Sequence, residues 1–153
     1  MLYLTLFQIS VFILYTAYVV KKFGVLTSLS ESWHYLEPKN SLFTLFCAAI
    51  GIPMFLQSNG HSTFFFLSGI GFLFVGITAL FGEAFKKCFH YSGAAAGMFG
   101  ALMALWCDSE IWWTFPVLGA SALILAFWKR VENKIWWMEM VFFILISAGL
   151  LFR

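Results

Sequence analysis

Along this chain, long apolar runs alternate with short polar connectors. Six runs come close to the roughly 20 residues that a helix needs to cross about 30 Å of hydrocarbon: 2–20, 41–57, 63–81, 89–106, 111–128 and 136–152. Inside each run apolar residues follow one another without the strict in-out alternation of a barrel strand, and lipid offers backbone N–H and C=O groups no partner, so the runs predict helices. The expected fold is all-α: a polytopic membrane protein whose six transmembrane helices form one bundle, with 1–153 as a single membrane domain. The first run has no basic residues ahead of it and no small-residue cleavage site behind it, which reads as a retained span rather than a secretory signal.

Short connectors such as Ser58 to Ser62 and Cys107 to Glu110 force neighbouring spans to lie antiparallel and adjacent. The first connector, from Lys21 to Asn40, is longer. Within it Ser28-Leu29-Ser30-Glu31 has capping-box spacing, Trp33, Tyr35 and Leu36 are amphipathic, and Pro38 blocks continuation, which predicts a short helix lying in the inner interface. Pro53 and Pro116 have no N–H to give and should kink the second and fifth spans. Transmembrane helices associate by close packing of small residues, and the fourth span is built for this. Gly93, Gly97 and Ala101 recur at every fourth position, with Gly100 and Ala104 beside them. This flat face either packs inside the bundle or meets a second copy or another membrane protein. Gly69, Gly71 and Gly76 in the third span, and Gly119, Ala122 and Ala126 in the fifth, are the natural partners inside the chain. The two halves do not match as inverted repeats would require.

Composition agrees with the pattern: 62% of residues are apolar and 21% aromatic, only 10% are charged, and mean hydropathy is +0.90. Soluble globular chains carry roughly 25% charged residues. The net charge of +2 is too small to point to nucleic acid, but its placement sets orientation. Lys21, Lys22, Lys39, Lys86, Lys87, Lys129, Arg130 and Lys134 fall in the first, third and fifth connectors, against Arg153 alone on the other side. Cytoplasmic loops retain lysine and arginine, so both termini are expected outside and the odd connectors in the cytoplasm, as in a bacterial-type inner membrane. Tryptophan falls at both interfaces, with Trp106, Trp112 and Trp113 outside and Trp33, Trp128, Trp136 and Trp137 inside. Cys47, Cys88 and Cys107 then lie at three different depths, which leaves no disulfide to expect.

An ionisable group at a span centre costs about 2.5–3.5 kcal/mol on insertion scales and marks function by default. None of the six runs has one at its centre. The polar candidates gather at the inner boundary instead: His34 and Tyr35 in the first connector, Glu83 after the third span, His90 and Tyr91 opening the fourth, and Glu139 in the first turn of the sixth. A carboxylate near a helix N-terminus is favoured by the macrodipole whatever its function, and an interfacial histidine often just hydrogen-bonds backbone. The functional alternative gathers His34, Glu83, His90, Tyr91 and Glu139 into one ligand site. His61, Asp108 and Glu110 belong to outer turns, where solvation accounts for them. No His-x-x-x-His or His-Glu-x-x-His pattern is present, so neither metal nor cofactor is expected.

Two resemblances attach to these residues. Ser30 and His34, four apart in Ser-Glu-Ser-Trp-His, resemble one element of the membrane hydrolases related to alkaline ceramidase and the adiponectin-type receptors, in which a serine, three histidines and an aspartate surround zinc. The late histidine pair of that family is missing here and Asp108 falls on the opposite face, so the activity is not carried over. Glu83 followed by Phe89-His90-Tyr91-Ser92-Gly93-Ala94 resembles the entry to a mid-protein span in small six-span proteins of the autophagy-modulator (DRAM-like) group and in bacterial membrane proteins of unknown function. That resemblance implies a fold and no chemistry.

The expectation is a non-enzymatic membrane protein whose cytoplasm-facing polar cluster binds a lipid headgroup, a small ligand or a protein partner. The alternatives are an oligomeric pore or small transporter, which the scarcity of polar residues within the spans disfavours, and a metal-dependent lipid hydrolase.

Overall fold

A computed structural model describes residues 2–36, 41–59, 62–78, 83–107, 111–128 and 130–152, with the side chains of 83–87 left aside. Pro38, Lys39, His61, Asp108, Glu110 and Lys129 lie outside the described residues. The described chain is helical: α1 (Leu2–Phe23), α2 (Ser32–Tyr35), α3 (Ser41–Gln57), α4 (Thr63–Thr78), α5 (Glu83–Cys107), α6 (Thr114–Phe127) and α7 (Lys134–Leu151). Three helices are long and apolar enough to cross a membrane, namely α1, residues Cys88–Cys107 of α5, and α7. Apolar helices α3, α4 and α6 have 17, 16 and 14 residues, which at 1.5 Å per residue is about 21–26 Å of regular helix. The family of long apolar helices makes this a membrane protein.

Helix α1 shows how such a helix chooses its inward face. Its buried residues are Thr5, Gln8, Phe12, Tyr15 and Val19, spaced three and four apart, a 3.5-residue seam that keeps one side against its neighbours. Gln8, the amide of that seam, is satisfied across the bundle. Gln8 Nε2 donates to the carbonyl of Ile50 at 2.8 Å, and Gln57 Nε2 donates to Gln8 Oε1 at 2.9 Å. Gly24, at φ +78°, ends the helix in a left-handed cap, its N–H donating to the Val20 carbonyl at 3.0 Å.

The most extensive packing is α4 against α5, then α3 against α4. Gly93, Gly97, Gly100, Ala101 and Ala104 are all buried, and the face bearing the glycines is covered by α4. A Cβ added at Gly100 would lie 2.8 Å from the Ser68 nitrogen, and one at Gly71 would fall on the Gly97 backbone. Gly69 in turn meets α3, where its added Cβ would lie 2.8 Å from the Gly51 carbonyl oxygen. Contact this close lets side chains bond backbone across helices: Ser68 Oγ donates to the Gly97 carbonyl and Thr44 Oγ1 to the Gly76 carbonyl, each at 2.8 Å.

Two expectations fail in the fifth span. Pro116 does not kink it, because α6 begins at Thr114 and the proline sits in the first turn, where a helical N–H has no intrahelical acceptor. Nor does Gly119 supply a packing face, since nothing lies within 4 Å of a Cβ placed there. Helix α6 buries only Thr114 and leans chiefly on α7. Pro53, by contrast, is inside α3, which continues through it.

The first connector folds back onto the bundle. Ser28 Oγ accepts the Glu31 N–H at 3.1 Å as a capping serine should, but the Glu31 carboxylate turns to the N–H and hydroxyl of Thr27 rather than to Ser28, so the box closes one residue early. Leu26, Leu29, Ser32 and Leu36 are buried, and α2 is a single turn. Helix α7 and this loop satisfy each other's backbone. The Trp136 N–H, one of the unpaired donors of the α7 N-terminus, bonds the Thr27 carbonyl at 3.0 Å, and Asn133 Nδ2 bonds the Val25 carbonyl at 3.1 Å.

Candidate functional site

Beneath this loop lies a cavity of about 530 Å³, bounded by residues 27–34 and by α3, α4, α5 and α7. Its deeper walls are aromatic and aliphatic, with Phe43 and Phe46 from α3, Phe72 and Val75 from α4, Ala94 and Met98 from α5, and Phe142 and Phe143 from α7. The rings pack against one another, Phe46 and Phe72 each within about 6.2 Å of Phe143, centroid to centroid. Tyr15 stacks on Phe46 from behind at 4.1 Å and anchors the loop, its hydroxyl 2.6 Å from Ser32 Oγ.

The polar lining is confined to the loop end. Helix α5 brings His90 and Tyr91, α7 brings Glu139, α4 ends in Thr78, and the loop adds His34, Glu31 and the serines 28 and 30. Four of the five residues singled out in the sequence, His34, His90, Tyr91 and Glu139, therefore line one cavity. The fifth, Glu83, opens α5, and its side chain lies outside the described residues.

Each polar group is held differently. Glu139, half-buried, accepts the Leu29 N–H through Oε2, with the Ser30 N–H beside it. His90, also half-buried, has Nδ1 3.5 Å from Thr78 Oγ1 and its ring edge-on to Tyr91. His34 is exposed, its ring tilted against that of Trp33 with 3.6 Å between centroids, and it lines the same cavity as His90. Cys47, fully enclosed, lines the deeper part. Among the described residues no group of three His, Cys, Asp or Glu side chains is placed to share a metal ion. No lysine or arginine lines the cavity among them either. The hydrogen-bonding capacity at the mouth is therefore imidazole, hydroxyl and carboxylate, set above an apolar pocket.

The loop residues Thr27, Ser28, Ser30 and Trp33, the helix-end Thr78, and the phenylalanines were not among the sequence candidates. Thr78 and Trp33 carried a weak signal, one as a rare hydroxyl near the inner boundary and the other as an interfacial indole. The phenylalanines carried none.

The chain matches no family model, no curated protein and no solved structure, so the geometry of this cavity is what bears on its use.

Proposed function

We propose that the protein binds an amphiphilic small molecule or lipid, its polar end at His34, His90, Tyr91 and Glu139 and its apolar part among Phe43, Phe46, Phe72 and Phe143. One observation carries this reading: residues from the first connector, α5 and α7, far apart in the chain, line the polar end of a single cavity whose other end is apolar. Sites for small ligands have this form, mostly apolar with a few convergent polar groups. The groups that the described residues bring to the mouth, imidazole, hydroxyl and carboxylate, suit an uncharged or weakly polar head. The activity is binding rather than catalysis.

The reading includes a topology. The six apolar helices cross an inner membrane of bacterial type with both termini outside, so that the cavity mouth and the loop at residues 24–36 face the cytoplasm. The basic connectors support this, as do Trp112 and Trp113 before α6 and Trp128 after it, which give the shortest of the six apolar helices an indole marker at each end.

Two measurements test it. Protein purified from membranes in mild detergent is extracted and the extract analysed by mass spectrometry. A stoichiometric amphiphile is expected with the wild type, depleted by His90→Ala and absent with Ala94→Trp, which fills the cavity. Identical extracts from all three would refute the site. For topology, single cysteines at positions 86 and 129 in a cysteine-free background should resist a membrane-impermeant maleimide in intact cells, and labelling of both would reverse the orientation.

A further inference from the structure

A second cleft, about 650 Å³, opens between α6 and α7 at the same end of the bundle. It exists because α6 buries only its first residue and leaves its inward flank at Ile124 and Leu125 facing Val141 of α7 across a gap. Trp128 and Trp137, both exposed, edge it. In a membrane-spanning protein such a cleft opens sideways to acyl chains.

The mouth of the cleft holds two opposite charges that do not neutralise each other. Arg130 and Glu132 both line it, and among the described residues neither takes part in a hydrogen bond or an ion pair. Of their described neighbours, Lys134 Nζ donates to the Ala126 carbonyl at 2.9 Å and Asn133 Nδ2 to the Val25 carbonyl. A guanidinium suits a phosphodiester, and a carboxylate two residues away suits a primary ammonium. An anionic headgroup would set surplus negative charge beside Glu132, and a trimethylammonium has no N–H to give it. From this charge complementarity and the indoles at the headgroup level, we propose that the cleft between α6 and α7 is a selective site for a zwitterionic phospholipid with a primary-amine headgroup, one acyl chain lying between the helices. The proposal does not depend on what the first cavity holds.

Native mass spectrometry of the purified protein, equilibrated with equal amounts of chain-matched phosphatidylethanolamine, phosphatidylcholine and phosphatidylglycerol, tests it. The wild type should retain the ethanolamine lipid in preference to each of the others by about two- to fivefold, the range that a surface ion pair supplies. Glu132→Ala should abolish the preference over choline lipid while lipid is still retained. Arg130→Ala should lower retention of all three, and Arg130→Lys should largely restore it. Equal retention of the three lipids by the wild type, or a preference that survives Glu132→Ala, would overturn the proposal.

Discussion

The backbone N–H of Leu29 donates to Oε2 of Glu139 at 2.5 Å, joining the first connector to the last helix across 110 residues. Leu29 is only 2% exposed, so in the folded protein its N–H is shielded from solvent and the carboxylate is its partner. Glu139 therefore closes the loop over the cavity that it also lines. Glu139→Ala should cost about 1–3 kcal/mol, the usual cost of an orphaned buried donor, and Glu139→Gln, which keeps an oxygen acceptor, should cost less. The consequence for the cavity is separately measurable. In a cysteine-free background, a cysteine replacing buried Leu26 should react with maleimide faster when position 139 is alanine, and an unchanged rate would show that the carboxylate does not hold the loop.

Gln8 and Gln57 form the second buried link, an amide pair that ties α1 to the end of α3. Replacing either one by leucine leaves the other without its partner in an apolar setting, whereas replacing both removes the need. A double-mutant cycle on thermal unfolding in detergent should give a coupling of about 0.6–1.7 kcal/mol, the range for hydrogen bonds between membrane helices. Strictly additive losses would mean that the pair contributes nothing as a pair.

Gly24 separates α1 from the loop at φ +78°, with open space around it. The constraint is conformational rather than steric. Gly24→Ala should destabilise by about 1–2 kcal/mol, the cost of a left-handed L-residue. Gly24→Asn should cost less because asparagine tolerates that region. Equal effects in unfolding curves would move the cause elsewhere.

What the sequence made legible is what continuous apolarity and charge placement encode: helices, their approximate ends, and a gathering of His34, His90, Tyr91 and Glu139 toward one end. The cavity joining these residues was not legible. Its walls draw on Phe43, Phe46, Phe72, Phe142 and Phe143, five of 20 phenylalanines in a chain where nearly every helical position is apolar, so periodicity cannot separate an inward ring from a lipid-facing one. Polar residues carry that information better. Gln8 and Gln57 are the only glutamines present, and Thr5 with Gln8 marks the inward face of α1, a signal open to reading from the spacing. The burial of the first connector was hidden for a different reason: apart from the Tyr15–Ser32 contact, the hydrogen bonds that tie it to the rest of the chain involve its backbone groups, which no side-chain pattern reports.

The glycines of α4 and α6 give a paired test of where close packing operates. At Gly71 a methyl group would fall on the Gly97 backbone, and backbone inside two packed helices cannot yield as a flexible side chain does. Gly71→Ala must push α4 away from α5, breaking the Ser68 hydrogen bond to the Gly97 carbonyl along with the helix contact. At Gly119 the same methyl group meets nothing within 4 Å, and there the general preference of a helix interior for alanine over glycine, about 0.5–1 kcal/mol, should act alone. Thermal unfolding monitored by tryptophan fluorescence should therefore show Gly71→Ala well below the wild type and Gly119→Ala at or above it. If the two substitutions shifted the midpoint equally, the glycine face of α5 would not be the surface on which α4 packs, and the arrangement of both helices around the cavity would be wrong.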